Sequence, residues 1–145
     1  AAMGLQQLDK LPEMDQARRE NFNKLYEIFK PYEEYFHLPV ATDKADPCWF
    51  GFLLVTRPKA PFEKQDFVNH MEGAKIQTRS YFTGNALYHP AYQPLASEYE
   101  DLKKEFPNAH LVTEGSVFLG TFIGLTDEKI AYIKKTVDAF FENIK

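Results

Sequence analysis

Arg79 is the residue in this chain whose type and setting most directly suggest binding chemistry. It sits in Ile76-Gln77-Thr78-Arg79-Ser80-Tyr81-Phe82, just before a loop dense in aromatic and hydrogen-bonding groups. A guanidinium at such a place can grip a carboxylate or a phosphate with two parallel hydrogen bonds. It can equally form a structural salt bridge with one of the many acidic residues, and residue types leave both uses open. Asn85 follows Gly84 and either offers its amide to a ligand or supplies the left-handed backbone of a turn. Tyr88 and His89 come next, ahead of Pro90-Ala91-Tyr92. His89 is a candidate because histidine is the side chain most easily poised near neutral pH.

Other chemistries fall away on spacing. His37, His70, His89 and His110 are far apart, and no pair has the one-turn spacing of a metal site. His70, on an amphipathic helix beside Asn69 and Glu72, reads as a solvated surface residue, and His110 reads the same way. The single cysteine, Cys48, lacks an adjacent base and stands next to Trp49 and Phe50, so it reads as a small core hydrophobe. There is no Gly-x-Ser-x-Gly elbow, no Gly-x-Gly-x-x-Gly turn and no P-loop. The acidic groups Glu33-Glu34 and Glu98-Tyr99-Glu100-Asp101 read as wet helix faces. No catalytic, metal-ligating or cofactor-binding residue is therefore assigned.

The elements that must position these groups emerge from periodicity. A long or kinked helix runs from the start through Phe36, with Pro12 opening its second section and Phe22, Leu25 and Phe29 on its apolar stripe. Residues 37–47 read as a loop. Cys48 to Thr56 is a near-continuous apolar run, as expected of a strand covered on both faces. Glu63 to Glu72 reads as a short helix with Gly73 at its exit. Ile76 to Phe82 reads as a second strand, Leu95 to Lys104 as another helix, and Val117 to Phe122 as a third strand. Thr126-Asp127-Glu128 caps a last helix carrying Ile130, Ile133, Val137, Phe140, Phe141 and Ile144. The expected fold class is α+β: a small three-stranded, mostly antiparallel sheet packed with helices.

At 145 residues, the chain can bury one full core. Its net charge of −4, with scattered basic residues, leaves no electrostatic footprint for nucleic acid. No apolar run approaches bilayer length and no signal-peptide pattern opens the chain. A cytoplasmic location is the expectation. Leu5, Leu8 and Leu11 make the first residues already helix-like, without a cap, as in a piece of a longer protein.

Ala1-Ala2-Met3-Gly4-Leu5-Gln6-Gln7-Leu8-Asp9-Lys10-Leu11-Pro12 resembles the helix after the large domain of DegT/DnrJ-type sugar aminotransferases. These are pyridoxal-phosphate enzymes of the aspartate-aminotransferase fold. Arg18-Arg19-Glu20-Asn21-Phe22 looks like the family's next stretch, and Trp49-Phe50-Gly51-Phe52 resembles its first small-domain strand. Ile76-Gln77-Thr78-Arg79, then Phe82, Gly84 and Asn85, then Pro90-Ala91-Tyr92, is closer to the 3-dehydrase branch, whose type is CDP-4-keto-6-deoxyglucose 3-dehydrase. The resemblance covers nearly the whole chain.

The resemblance implies a C-terminal small domain: residues 1–36 as the connecting helix region and 37–145 as the α+β body. It implies that the large domain holds the pyridoxal or pyridoxamine phosphate. That domain also carries the residue acting on the cofactor, lysine in aminotransferases and histidine in 3-dehydrases, and any iron–sulfur ligands. The implied reaction removes the 3-hydroxyl of a nucleotide-linked 4-keto-6-deoxyhexose on the way to lipopolysaccharide dideoxysugars. The cofactor serves there as electron sink. This chain would bind no cofactor alone and would be inactive alone. It would line the substrate cleft with Arg79, Phe82 and Asn85, with Tyr88 and His89 beside them. The implied partners are the nucleotide sugar, the chain's own large domain, a second subunit in a homodimer, and a reductase. The same domain of a sugar aminotransferase, or a stand-alone α+β binding module, are the other readings.

Overall fold

The computed structural model describes residues 2–144. The sequence-based placement of Ala1 in the first helix, and of Lys145 in the α+β body, lies outside them. Helix α1 (Ala2–Phe29) is followed by strand β1 (Phe36–His37), strand β2 (Gly51–Thr56) and helix α2 (Lys64–Gly73). Short helices α3 (Gln93–Ala96) and α4 (Leu102–Glu105) then lead into α5 (Pro107–Gly115), strand β3 (Ser116–Gly120) and helix α6 (Asp127–Glu142). The sheet is antiparallel, in the order β1-β2-β3. This is the expected α+β class.

Helix α1 runs straight through Pro12, which does not open a second section as its position had suggested. Residues 2–13 are all exposed, so water can satisfy the carbonyl that Pro12 leaves without a donor. The buried part begins at Asn21 and Phe22 and continues through Leu25, Ile28 and Phe29. Pro31 then converts the chain to a 3-10 turn, Lys30–Tyr32, so the helix stops short of Phe36.

Phe36 belongs instead to β1, opposite Thr56, in a stretch the sequence had assigned to helix and loop. Strand β2 starts at Gly51, not Cys48. Cys48 is exposed rather than part of the core. Hydrogen bonding to the Asp15 carboxylate, then burial, pushes its thiol up from the ordinary value.

Pairing sets which residues share a face of the sheet. Phe52 lies opposite Leu119 and Leu54 opposite Val117. These four are buried with Phe22, Phe29, Phe67, Met71, Val137 and Phe140 in one core under α1, α2 and α6. The other face carries Leu53 opposite Phe118 and Val55 opposite Ser116. Gly51 makes room there, since a Cβ on it would fall 2.2 Å from the Phe118 ring. Helix α5 closes that face: Gly115 is buried, and a Cβ on it would meet the Thr56 carbonyl at 2.8 Å.

The expected second strand, Ile76 to Phe82, does not form. Helix α2 ends at Gly73, with Lys75 in the left-handed region (φ 64°) and the Ile76 amide donating to the Met71 carbonyl at 3.0 Å. Only Arg79 then pairs with β3, exchanging two hydrogen bonds with Phe118. The expected helix from Leu95 to Lys104 breaks into α3 and α4, and α5 occupies a stretch to which no element had been assigned. Helix α6 matches its sequence pattern, and the Thr126 hydroxyl accepts the Lys129 amide. His70 is not a free surface group. It is half-buried, tilted against Phe140, and donates from Nε2 to the Thr136 carbonyl at 2.9 Å.

Phe52→Ala should destabilise the chain by about 3–5 kcal/mol, the range for emptying a buried aromatic site, as read by urea unfolding. Alkaline pH should act through Tyr32, whose ring stacks on Phe141 at 3.9 Å. Burial first, then its hydrogen bond to Asp138, raises its hydroxyl from 10.0 to about 12. The folded state therefore keeps a proton that the unfolded state has lost. Tyr32 contributes fully below pH 10 and less as pH climbs towards 12. Stability measured across that window should fall less steeply in Tyr32→Phe than in the parent chain; equal slopes would clear Tyr32 of the effect.

Candidate functional site

Residues 76–92 are laid across β3 and α5 by a series of hydrogen bonds, most of them to the backbone. The Thr78 hydroxyl donates to Glu72 at 2.7 Å and is itself buried. Arg79 is fixed by its amide to the Phe118 carbonyl (3.1 Å) and by the Phe118 amide to its own carbonyl (2.8 Å). The Tyr81 amide donates to the Ser116 hydroxyl at 3.1 Å. The Asn85 amide donates to the Thr113 hydroxyl at 2.7 Å. Side chains thus capture donors that a regular ladder would have used, which is why this segment is a loop and not a strand.

The backbone of Arg79 is anchored while its side chain is free. The guanidinium is exposed and has no ion pair or hydrogen bond among the described residues. Of the two uses open to Arg79 in the sequence, the structural salt bridge does not form among the described residues. A directly opposed pair in an antiparallel bridge shares a face, so Arg79 lies on the side of the sheet that carries Phe118 and α5.

Phe82 is 78% exposed and takes a positive φ of 45°. It is the second residue of a turn closed by the Gly84 amide on the Tyr81 carbonyl at 3.3 Å. Such a position ordinarily takes glycine or asparagine, and a bulky side chain there is strained. Gly84 also has a positive φ, 62°, and packs against Thr113. The left-handed residues of this turn are therefore Phe82 and Gly84, not Asn85.

Asn85 is buried and caps the following 3-10 turn, Ala86–Tyr88, its Oδ1 accepting the Leu87 amide at 3.1 Å. Its Nδ2 is buried with no partner among the described residues, so both N–H donors of this amide are left unpaired. Tyr88 is half-exposed, and its hydroxyl meets His110 Nδ1 at 2.8 Å. His110 is half-buried, not the free surface residue its sequence suggested. His89 is exposed and its Nε2 donates to the Thr83 carbonyl at 3.1 Å, which leaves Nδ1 as the acceptor of the neutral ring.

The turn and α5 enclose a cleft of about 340 Å³, lined by Tyr81, Phe82, Thr83, Gly84, Asn108, Ala109 and Val112. That is the lower end of ligand-pocket size. The structure brings Phe82 to this cleft and sets Arg79 three residues before it. Tyr88 and His89 brace the loop from outside. Thr113, Ser116, Asn108 and Val112 were not singled out by sequence reasoning. The signal that could have found α5 is present: Pro107 at its first position and Gly115 at its last.

This geometry has counterparts among known proteins. A model of the DegT/DnrJ/EryC1/StrS aminotransferase family matches residues 1–138. The chain belongs to that family. The dTDP-4-dehydro-2,6-dideoxy-D-glucose 3-dehydratase of Saccharopolyspora spinosa is 34% identical over 140 residues, 97% of this chain and 29% of that protein. The lipopolysaccharide biosynthesis protein RfbH of Salmonella typhimurium is 31% identical over 141 residues, 97% of this chain and 32% of its own. The DegT/DnrJ chain thus spans about a third of the length of the relatives it matches.

Solved structures agree. The E. coli GDP-4-keto-6-deoxy-D-mannose-3-dehydratase with bound hydrated PLP superposes with TM-score 0.75 at 25% identity, over 94% of this chain and 34% of that one. A variant of GDP-4-keto-6-deoxymannose-3-dehydratase with bound GDP-perosamine gives TM-score 0.72 at 27% identity, with the same coverage. The PMP form of a sugar aminotransferase from Streptococcus pneumoniae gives TM-score 0.79 at 20% identity, over 98% of this chain and 34% of its own, a likeness of fold alone. No helix among the described residues is long and apolar enough to cross a membrane.

A Cβ on Gly84 would lie 2.4 Å from the Thr113 hydroxyl and 3.0 Å from its Cα, on a backbone that L side chains rarely adopt. Gly84→Ala should therefore cost about 1–3 kcal/mol. Denaturant unfolding together with hydrogen exchange should show the loss concentrated in residues 82–90. A fully tolerated alanine would mean that this turn does not hold the loop.

Proposed function

We propose that this chain is the C-terminal, substrate-cleft domain of a nucleotide-sugar 3-dehydrase dependent on pyridoxal or pyridoxamine phosphate. The substrate class is a nucleotide-linked 4-keto-6-deoxyhexose, and the reaction expels its 3-hydroxyl during synthesis of lipopolysaccharide dideoxysugars. The observation that carries this reading is the exposed guanidinium of Arg79, unpaired among the described residues and three positions before Phe82, which lines the cleft. The two relatives at over 30% identity, one of them a named 3-dehydratase, support dehydration over amino transfer.

The cofactor itself does not fit the residues present. Such a site needs a group at the aldehyde carbon and an acid facing the pyridine nitrogen. None of the described lysines is buried, so none stands in the shielded setting of a Schiff-base lysine. When bound elsewhere in the enzyme, the cofactor supplies a sink for the electrons of a carbanion. This chain's own task is to bind, orient and shield.

Arg79 clamps a phosphate oxygen pair of the nucleotide diphosphate, whose two negative charges suit a planar fork. Phe82, exposed on the turn, offers a flat apolar surface to the sugar or base. Asn85 offers its unpaired Nδ2, with two N–H donors, toward a hydroxyl. Tyr88 and His89 fix the loop that carries these groups. Closing this wall on the rest of the cleft excludes water, which strengthens each polar contact. The exposed stripe Leu5, Leu8 and Leu11 (63, 61 and 51% exposed) supports a domain that packs against further protein rather than a stand-alone module. A large domain, a homodimer, a reductase partner and a cytoplasmic setting complete the proposal.

In the enzyme that contains this chain, Arg79→Ala should raise KM for the nucleotide sugar about 10- to 100-fold, the worth of a charge-assisted hydrogen bond pair, with unchanged thermal stability. Arg79→Lys should recover part of the loss. Mass spectrometry of the parent reaction, supplied with an electron donor, should show a sugar nucleotide lighter by one oxygen atom, its 3-hydroxyl replaced by hydrogen through loss of water and uptake of two electrons and two protons. An amino sugar instead would make the enzyme an aminotransferase and overturn the dehydrase reading.

A further inference from the structure

Thr113 lies outside the Arg79–His89 segment and was not among the candidate residues, yet four contacts converge on it. Its hydroxyl accepts the Asn85 amide at 2.7 Å and donates to the Ala109 carbonyl, one helical turn back, also at 2.7 Å. The donation commits the one hydroxyl proton to α5, so a lone pair is turned towards Asn85. The space that a side chain on residue 84 would fill is occupied by Thr113, which stands 2.4 Å from that missing Cβ. Its own carbonyl is touched by the Lys64 ammonium of α2 at 3.4 Å.

We propose that Thr113 is the positioning residue of the candidate site. It latches the Phe82–Asn85 turn to α5, and thereby sets the presentation of Phe82 and the open amide of Asn85. The Tyr81 amide on the Ser116 hydroxyl, at 3.1 Å, fixes the residue before the strained ones, and little else is available to hold the turn after it. Phe82 sits at a positive φ and is almost wholly exposed, so neither its conformation nor its burial favours the observed geometry. The turn's own hydrogen bond, from the Gly84 amide to the Tyr81 carbonyl, is long at 3.3 Å. His89 on Thr83 and Tyr88 on His110 are exposed contacts, and solvent competes with both. The Asn85–Thr113 bond is the short, partly buried one, and it lies directly after the strained residues.

Threonine suits this duty in both of its parts. The hydroxyl holds Asn85, and the branched Cβ fills the hollow above Gly84. Removing the hydroxyl alone leaves the Asn85 amide without a partner in a part-buried place, which releases the turn. Because α5 keeps its backbone ladder and Gly115 its seat on β2, the fold itself survives the change.

The positioning role rests on the substrate-cleft reading only where substrate binding is concerned, and two measurements separate them. In Thr113→Val, hydrogen exchange at the Asn85 amide should speed up about fivefold to tenfold while the amides of β2 and α6 exchange as before. Thr113→Ser, which keeps the hydroxyl, should restore the protection. In the enzyme containing this chain, Thr113→Val should raise KM for the nucleotide sugar more than it lowers kcat, again with rescue by serine. Unchanged exchange at Asn85 in the valine variant, or a serine variant as impaired as valine, would overturn the latch. Faster exchange with an unmoved KM would keep the latch and overturn the placement of the substrate against this turn.

Discussion

Contact between the buried half of α1 and strand β2 is what the rest of the molecule depends on, and Phe52 is its centre. The Phe52 ring lies 5.1 Å from Phe22, 5.6 Å from Phe29 and 6.5 Å from Tyr26, all on α1. Phe29 in turn meets Phe36 of β1 at 6.0 Å and Phe67 of α2 at 6.2 Å. Aromatic pairs at these spacings each add a little beyond the area they bury. A sheet with a two-residue edge strand has few ladder bonds of its own. It is flattened against α1, α2 and α6 by this aromatic cluster, and only then is its opposite face available to α5. The loop that carries Arg79 is fastened to β3 and α5, so its geometry is inherited from Phe52 through two layers of packing.

Much of the fold was legible because burial imposes a period. Helix α6 and the second half of α1 carry apolar residues at helical spacing, and β2 is an apolar run, so all were readable from residue types. The illegible parts each had a competing local interaction. Ile76–Phe82 has the composition of a strand, yet the Ile76 amide is taken by the α2 terminus and the Tyr81 amide by Ser116. Phe36 was assigned to a helix because Pro31 loosens a helix without specifying the conformation of the residues after it. Cys48 and Trp49 stand together in an apolar run. Trp49 stacks on Phe22 at 4.3 Å while Cys48 remains exposed, because β2 does not begin until Gly51.

The site was legible to a different degree. Arg79 could be picked out as a guanidinium without an evident partner nearby in sequence, and the structure leaves it unpaired among the described residues. For Asn85 the sequence left open a ligand role or the left-handed backbone of a turn, but the non-glycine residue of this turn that bears that conformation is Phe82, against its own preference. No propensity argument predicts such a residue, since the tertiary contact at Thr113 overrides it. Thr113 itself was invisible because its significance lies in a contact across 28 positions of sequence. Residues that bind are marked by chemistry, whereas residues that position are marked by geometry, and only the first kind of mark is written in a single chain.

The separation of roles has an energetic consequence. Arg79 and Phe82 contribute little to the core: one is an exposed charge without a partner among the described residues, the other an exposed ring on strained backbone. A guanidinium facing water interacts weakly with any anion, because the high dielectric screens it and hydration competes for its donors. The same guanidinium under a closed cleft, with water displaced, is worth several times more. A wall that is open and unpaired on its own is therefore suited to a cleft completed by other protein, where binding and closure reinforce each other. The cost of holding Phe82 out into solvent is met by the backbone anchors behind it. That arrangement keeps the anchors in the packed layer of the fold and the proposed ligand-facing groups on its exposed surface.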